Sequence, residues 1–409
     1  MRTLTLILGA ILVAYCSAGA LSETLWPNNE QVNRALCRFL LCNDTPLVER
    51  AEYQITGGKE EDQVTRRKEK EEDIQQAIAT FRTALQQDPQ DPYLWVDLGD
   101  AFLEAGRKED ARYCFGEVLV LAPRTAVLLL RVADFHFQIG ENQEAFPITA
   151  RILSLIPDYD SEIFKKYIGQ ETATLLGTAI PASRRPAQSW AAWIARNGSE
   201  DDLRKTWTWM MQNHLMDETT ALDLTRTLWQ RQFFRTAQEL WLDWLGPSRG
   251  DYSAHELIFN RQFKDAPNGS PFDWTIPAQR SVEISRGQGL EVRFAGIENV
   301  EFNIKQFAVV SPGRYHFSAE TESEDLLTDQ CPFFHIFDAV NPARLDITTL
   351  QIKGTTPRSE TDMDFTVTPD TQVLVIQLER RESERFDNKI QGALHVYQVS
   401  LVPVDRRLK

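Results

Sequence analysis

The chain has 409 residues, with 44 Lys and Arg against 59 Asp and Glu, a formal charge of −15 at pH 7. That charge divides into −8 over residues 1–250 and −7 over residues 251–409, so neither half is a basic platform, and nucleic-acid binding, which draws its affinity from Lys and Arg on phosphates, is excluded. At 42% hydrophobic and 25% charged residues the composition is that of a folded globular protein, and at ~150 residues per domain the length sets two or three domains.

Residues 1–21 come first. Thr3 to Leu21 carry no charged side chain, Arg2 precedes them, and Leu4, Leu6, Ile7, Leu8, Ile11, Leu12 and Val13 form an apolar run. Ala18-Gly19-Ala20 offers small residues for cleavage after Ala20, which reads as a signal peptide. The same stretch, uncleaved, is long enough for a membrane anchor. Cys16 raises a lipoprotein reading, against which stands Tyr15 at a position that wants a small side chain. Each reading places the bulk of the chain outside the cytoplasm, in the periplasm or an equivalent compartment. Four further cysteines, Cys37, Cys42, Cys114 and Cys331, are too few for a disulfide scaffold. Cys37 and Cys42 are close enough in sequence to pair, and Cys114 and Cys331 read as small buried hydrophobes. No second ligand pair accompanies them, so no zinc site is expected.

Residues 22–72 read as a helical, charged linker region. After them a period of 34 residues appears. Pro89, Pro123 and Pro157 follow it, as do Ala77, Ala111 and Ala145, Gly106 and Gly140, and Phe81 and Phe115. Trp95, Leu98 and Phe102 recur at three and four residues, on one face of a helix. Gly99 and Ala111 are small enough to let two helices approach, Gly106 suits a turn, and Pro123 ends the second helix. One such hairpin cannot bury its apolar face alone, so neighbours must stack.

The ordered set Trp95, Leu98, Gly99, Phe102, Gly106, Ala111, Phe115 and Pro123 resembles the tetratricopeptide repeat family. The resemblance covers residues 73–170, with two good repeats and one partial one, and Pro147 departs from the pattern inside a helix. It implies a groove that binds a protein partner, lined by Tyr93, Val96, Asp100, Leu103 and Glu104 of one repeat and Val127, Leu130, Asp134 and Phe137 of the next. Val96 and Asp100 stand where some members carry basic residues that clamp a peptide carboxylate, which disfavours a receptor for chaperone tails. The alternative is an array that acts only as a spacer.

Residues 171–250 continue the helical texture with seven of the ten tryptophans. Trp190/Trp193 and Trp241/Trp244 are spaced by three, which suits rings filling the seams between helices better than a sugar platform. Ser199 before Glu200, Asp201 and Asp202 marks a helix start.

After Gly250 the pattern switches to alternation. Strand-like segments fall at 281–285, 290–294, 302–310, 315–319, 333–337, 363–367, 372–378 and 393–402. This predicts an antiparallel β-sandwich over residues 251–405. The fold class is therefore multidomain α and β: an N-terminal α-helical tetratricopeptide solenoid, then a sandwich of jelly-roll type. The run Leu257 to Phe263, with Asn260-Arg261-Gln262-Phe263, and the closing Val399-Ser400-Leu401 are similar to carbohydrate-binding modules, which open on an Asn-x-x-Phe strand. That resemblance implies a glycan site, for which Trp274, Tyr315, Phe333, Phe334, His335 and Asn388 are the candidates. Against it, both faces of the strand holding Phe333, Phe334 and His335 are apolar, and Trp274 suits a core. Members of the group often hold calcium with paired Asp before the closing strand motif. Tyr397 and Gln398 occupy those places, and Asp387 alone does not restore the site.

No nucleophile elbow, P-loop or His-Glu-x-x-His helix is present. Glu320 to Asp325 reads as a solvated loop. The expectation is a non-enzyme without cofactor or metal: an exported scaffold of bacterial envelope type that holds a protein partner next to cell-surface polysaccharide, as in exopolysaccharide assembly or secretion. A pure protein-interaction module and a glycan-active enzyme are the alternatives.

Overall fold

The computed structural model describes residues 63–386 and 388–404. The apolar N-terminal run, Cys16, the Cys37–Cys42 pair and Asp387 lie outside the described residues. The chain divides into two compact units, residues 1–156 and 157–409.

The described part of the first unit is helical: α1 (Gln63–Gln87), α2 (Pro92–Glu104), α3 (Lys108–Leu121), α4 (Ala126–Ile139) and α5 (Asn142–Leu155). α2 pairs with α3 and α4 with α5, and α1 packs against α2. The periodic residues are the packing residues: Ala77, Ala111 and Ala145 are fully buried, and Phe81 and Phe115 nearly so. Gly106 and Gly140 turn the chain with φ of +74° and +84°, a region that favours glycine. Asp91 caps α2 by accepting the Tyr93 N–H at 2.8 Å, and Pro92 sits in its first turn. A Cβ on Gly99 would lie 3.1 Å from the Phe115 ring, so glycine lets α2 and α3 close together. α1 is one continuous helix, with no turn dividing its charged start from the buried Ile74, Ala77, Ile78 and Phe81. α5 runs through Pro147 without ending.

The second unit begins with α6 (Asp160–Lys166), α7 (Thr172–Leu175), α8 (Arg184–Asn197), α9 (Glu200–Gln212), α10 (Glu218–Gln230) and α11 (Phe234–Leu245). Trp190, Trp207 and Trp241 are almost wholly buried, while Trp193, Trp209, Trp229 and Trp244 are half-buried. Trp190 donates to the Thr206 hydroxyl at 3.2 Å and Trp207 to Asp243 at 2.8 Å, which satisfies the polar edge of these two rings. Ser199 and Asp202 form a reciprocal capping box at the start of α9.

Nine strands follow: β1 (Val282–Gly287), β2 (Gly289–Ala295), β3 (Phe302–Val309), β4 (Gly313–Leu326), β5 (Phe333–Asp338), β6 (Asp346–Thr348), β7 (Gly354–Val367), β8 (Val373–Arg380) and β9 (Gln391–Pro403). They form two antiparallel sheets, ordered β1-β2-β9-β4-β7 and β3-β8-β5-β6. Alternate residues point inward to one core that includes Val292, Phe302, Ile304, Phe317, Phe334, Ile376, Leu394 and Leu401. Within this unit Trp229 of α10 lies against Phe272 and Phe307, at ring distances of 5.4 and 4.8 Å, so helices and sheets share an apolar seam.

Two expectations are corrected here. Glu320 to Asp325 is no loop. It continues β4, with Thr321 and Ser323 buried and Glu322 and Glu324 outward. The opening segment holding Asn260 and Phe263 is no strand. It turns through left-handed φ at both residues and is stapled to β9 by Leu257 N–H to Leu401 O and Val399 N–H to Arg261 O, both 2.9 Å. The buried Glu256 carboxylate completes the staple. It accepts the Ser400 hydroxyl at 2.6 Å and the Ile258 and Leu401 amides, while burial pushes its pKa up. β7 forms one edge of the five-stranded sheet and presents Arg358, Glu360, Asp362 and Asp364 as exposed residues.

Candidate functional site

In the first unit the predicted groove residues fall on α2 and α4. Tyr93 is 55% exposed and Val127 45%. Asp100, Leu103, Asp134 and Phe137 are half-buried, and Glu104 is exposed. Val96 and Leu130 are buried, because they pack between helices, and present no side chain to a partner. Arg131 pairs with Asp100 across the two helices, and Lys70 of α1 pairs with Glu104 at 2.7 Å. Burial pushes the Asp100 carboxyl above the ordinary carboxylate range. Arg131 pulls it down, and the Asp134 and Glu104 carboxylates push it further up. The face thus combines exposed apolar surface with carboxylates.

The predicted glycan residues are not brought together. Trp274 is wedged against Phe263 at 4.7 Å and donates to Asn260 O at 3.2 Å. Tyr315 is buried, with its hydroxyl donating to Ser311 O at 2.8 Å. Phe334 points into the core against Phe317. Phe333, on the opposite face of β5, is buried beneath the Arg381 guanidinium at 5.2 Å. Strand alternation accounts for this split. His335 lies between Asp346, 2.7 Å from Nε2, and Glu379, 3.4 Å from Nδ1. Asn388 sits in the β8–β9 loop, where its carbonyl receives Arg380 at 2.8 Å. None of the four aromatic rings offers an open face for a sugar.

A different group converges on the outward face of the five-stranded sheet. Glu320 pairs with Gln398 and Thr321 with Val396, so Tyr397 is an extra residue on β9. Such a bulge re-aims a side chain. The Tyr397 ring is flanked by His395, stacked at 4.4 Å, and by the Arg358 guanidinium at 4.0 Å. Arg358 makes two parallel hydrogen bonds to Glu320, both 2.7 Å, and these hold the Glu320 carboxyl below its usual range. Tyr397 donates to Glu322 at 2.6 Å. Around this stack lies a cleft of ≈ 280 Å³, bordered by Gln262, Lys264, the β1–β2 turn at Gly287 to Gly289, and Gln398. Gln262 donates to Gln398 at 3.1 Å. In the sequence Tyr397 and Gln398 were visible only as departures from a calcium motif, because the bulge breaks the alternation that would have marked an outward ring.

The family model described as "Tetratricopeptide repeat" matches residues 69–125, which span most of α1 and all of α2 and α3. These hairpins are tetratricopeptide repeats. No curated protein matches the chain. Among solved structures the chain is similar to MamA, at 15% identity over 46% of this chain and 96% of that one, with a TM-score of 0.23. CBM4 is matched at 15% identity over 36% of this chain and 99% of that one, with a TM-score of 0.27. The enzymatically active domain of tailspike protein 4 of Bacteriophage CBA120 is matched at 14% identity over 36% of this chain, with a TM-score of 0.29, and the chain spans only 21% of that structure. At these scores the likenesses assign no ligand and no activity. On the repeats, Tyr93 and Val127 stand exposed, while the carboxylates of Asp100 and Glu104 are engaged by Arg131 and Lys70.

Proposed function

We propose that the chain is an exported, non-catalytic scaffold whose tetratricopeptide repeats hold a basic, partly apolar segment of a protein partner. The observation that carries this reading is the face of α2 and α4, where Tyr93 and Val127 stand exposed beside carboxylates. The sandwich serves as the second module and faces a polysaccharide of the cell envelope, with the cleft beside Tyr397 as its contact. Exopolysaccharide assembly or secretion from the periplasmic side is the setting that joins both modules.

The test is capture of partners by the full chain from an envelope extract, compared with Tyr93→Ala and with Asp134→Asn. A loss of binding of about ten-fold, roughly the effect of removing one well-placed contact, supports the groove; unchanged capture assigns the array a spacer role. A glycan array probed with the full chain and with Arg358→Ala tests the sandwich. Signals that vanish in the variant support the cleft. A blank array favours the second reading, a sandwich that binds protein, for which the flanking of the Tyr397 ring by His395 and Arg358 already speaks.

A further inference from the structure

β1 forms the second edge of the five-stranded sheet, and among the described residues no strand pairs with its outer side. Hydrogen bonding alternates in direction along an antiparallel strand. The Ala295 N–H donates to Ser281 O at 3.2 Å, on the β2 side, while the Val282 N–H reaches Gln279 O at 3.5 Å, on the other. Carried along β1, this alternation turns the backbone N–H and C=O groups of Ile284 and Arg286 toward the open edge. The bridge between Gln279 and Val282 closes that edge only at its first residue.

The side chains of the same residues line a cavity. Val282, Ile284 and Arg286 share the inward face of β1, and with Pro267, Ile276 and Pro277 they border a space of ≈ 390 Å³. Ile276 and Ile284 touch the sandwich core and are only half-buried. Two polar groups here lack a partner among the described residues. Gln279 donates its Nε2 to Glu301 O at 2.7 Å, which leaves Oε1 as a buried acceptor with no donor. Arg286 is exposed and has no ion pair.

We propose that β1 is a docking strand for an extended peptide of a partner protein, which adds itself to this edge with an apolar side chain in the cavity opposite Ile284 and an Asp or Glu opposite Arg286. Side chains repeat every two residues along a strand, so the recognised pattern is an apolar residue, any residue and an acid, in either chain direction. Main-chain pairing supplies affinity, and the cavity and guanidinium choose the sequence. The same features select against other occupants. An inward charge on an edge strand disfavours every added strand that brings no opposite charge. A second copy brings none: the inward face of its β1 carries Val282, Ile284 and Arg286, and that of its β7 carries Thr361, Met363 and Phe365 where it is half-buried. A free apolar molecule would leave the backbone groups of the edge unused. The peptide is acidic, unlike the basic segment assigned to the tetratricopeptide repeats, and the site does not depend on that assignment.

The test is fluorescence anisotropy of the full chain with the labelled, end-blocked peptide Ser-Thr-Ile-Thr-Asp-Thr-Ser. Binding should saturate, and Arg286→Glu should weaken it by about ten-fold. The variant should bind the same peptide with Lys in place of Asp more tightly than the wild type does, which also shows that it folds. Two further peptides, N-methylated on alternate residues, read the edge itself. An added strand pairs along one side only, so one of them should keep its binding and the other lose it. No saturation up to about 1 mM, no change on Arg286→Glu, or equal affinity for the two methylated peptides overturns the proposal. A dimer in sedimentation that excess peptide does not dissociate, with no anisotropy change, assigns the edge to a second copy and also overturns it.

Discussion

Arg380 is fully buried, and its hydrogen bonds run to oxygens of Gln330, Asn299, Val300 and Asn388, none of them a carboxylate. Burial draws its pKa below the usual arginine value, yet the fork of donors suits several converging carbonyls. Arg380→Met keeps the apolar stem and leaves those oxygens unpaired. It should cost about 3 kcal/mol, read as a shift in the denaturant midpoint; a cost under about 1 kcal/mol would mean that water replaces the guanidinium. Asp100 offers a pH signature. Its pKa is raised in the folded chain above the ordinary 3.8, so the folded state holds its proton longer than the unfolded state. Its contribution to stability is greatest below the unfolded value and declines as pH rises through the folded one. On the proposed reading a basic peptide competes with Arg131 for the ionised Asp100 carboxylate, so its binding should strengthen across the same interval. Titration calorimetry at several pH values would show that slope, and Asp100→Asn should flatten it.

At the level of elements, the β1–β2 hairpin depends on Gly289. Its φ is +111°, and a Cβ there would stand 2.5 Å from the Val396 carbonyl oxygen on β9. Gly289→Ala should cost roughly 2 kcal/mol by forcing this hairpin away from β9. It should also perturb the Tyr397 stack, measurable as altered near-ultraviolet dichroism along with lowered stability. Much of this architecture was legible in the sequence, for physical reasons. The 34-residue period survives because each hairpin must present the same buried Ala and Phe to its neighbour. The segments SVEIS, LEVRF and QVLVIQL alternate or run apolar because they line one core. What could not be read was structure without a buried stripe. The first half of β7 is outward and polar, and the acidic end of β4 buries only the polar Thr321 and Ser323, so both resembled loops. The segment holding Asn260 and Phe263 is apolar, but it is secured by single bonds to β9 and not by a ladder. The cleft beside Tyr397 was hidden because it joins residues more than a hundred positions apart, Gln262 and Gln398 among them, and because its central ring sits on a bulge.

On the scale of the whole molecule, the second unit should behave as one cooperative body, since Trp229 packs α10 against Phe272 and Phe307. Trp229→Ala should lower its stability on the order of 2 kcal/mol, with the helical and sheet signals of this unit lost in the same transition; separate midpoints for the two would contradict a shared core. The spread of the −15 charge meets a related demand on the surface. Among the described residues no strand pairs with the outer side of β7, and such an edge invites a second chain to add itself. Glu360, Asp362 and Asp364 punctuate that edge, so two copies approaching strand to strand would bring carboxylates face to face. The protection is carried by charge. Removing it, as in Glu360→Gln with Asp362→Asn, would unlock the edge and let molecules assemble into sheets shared between copies.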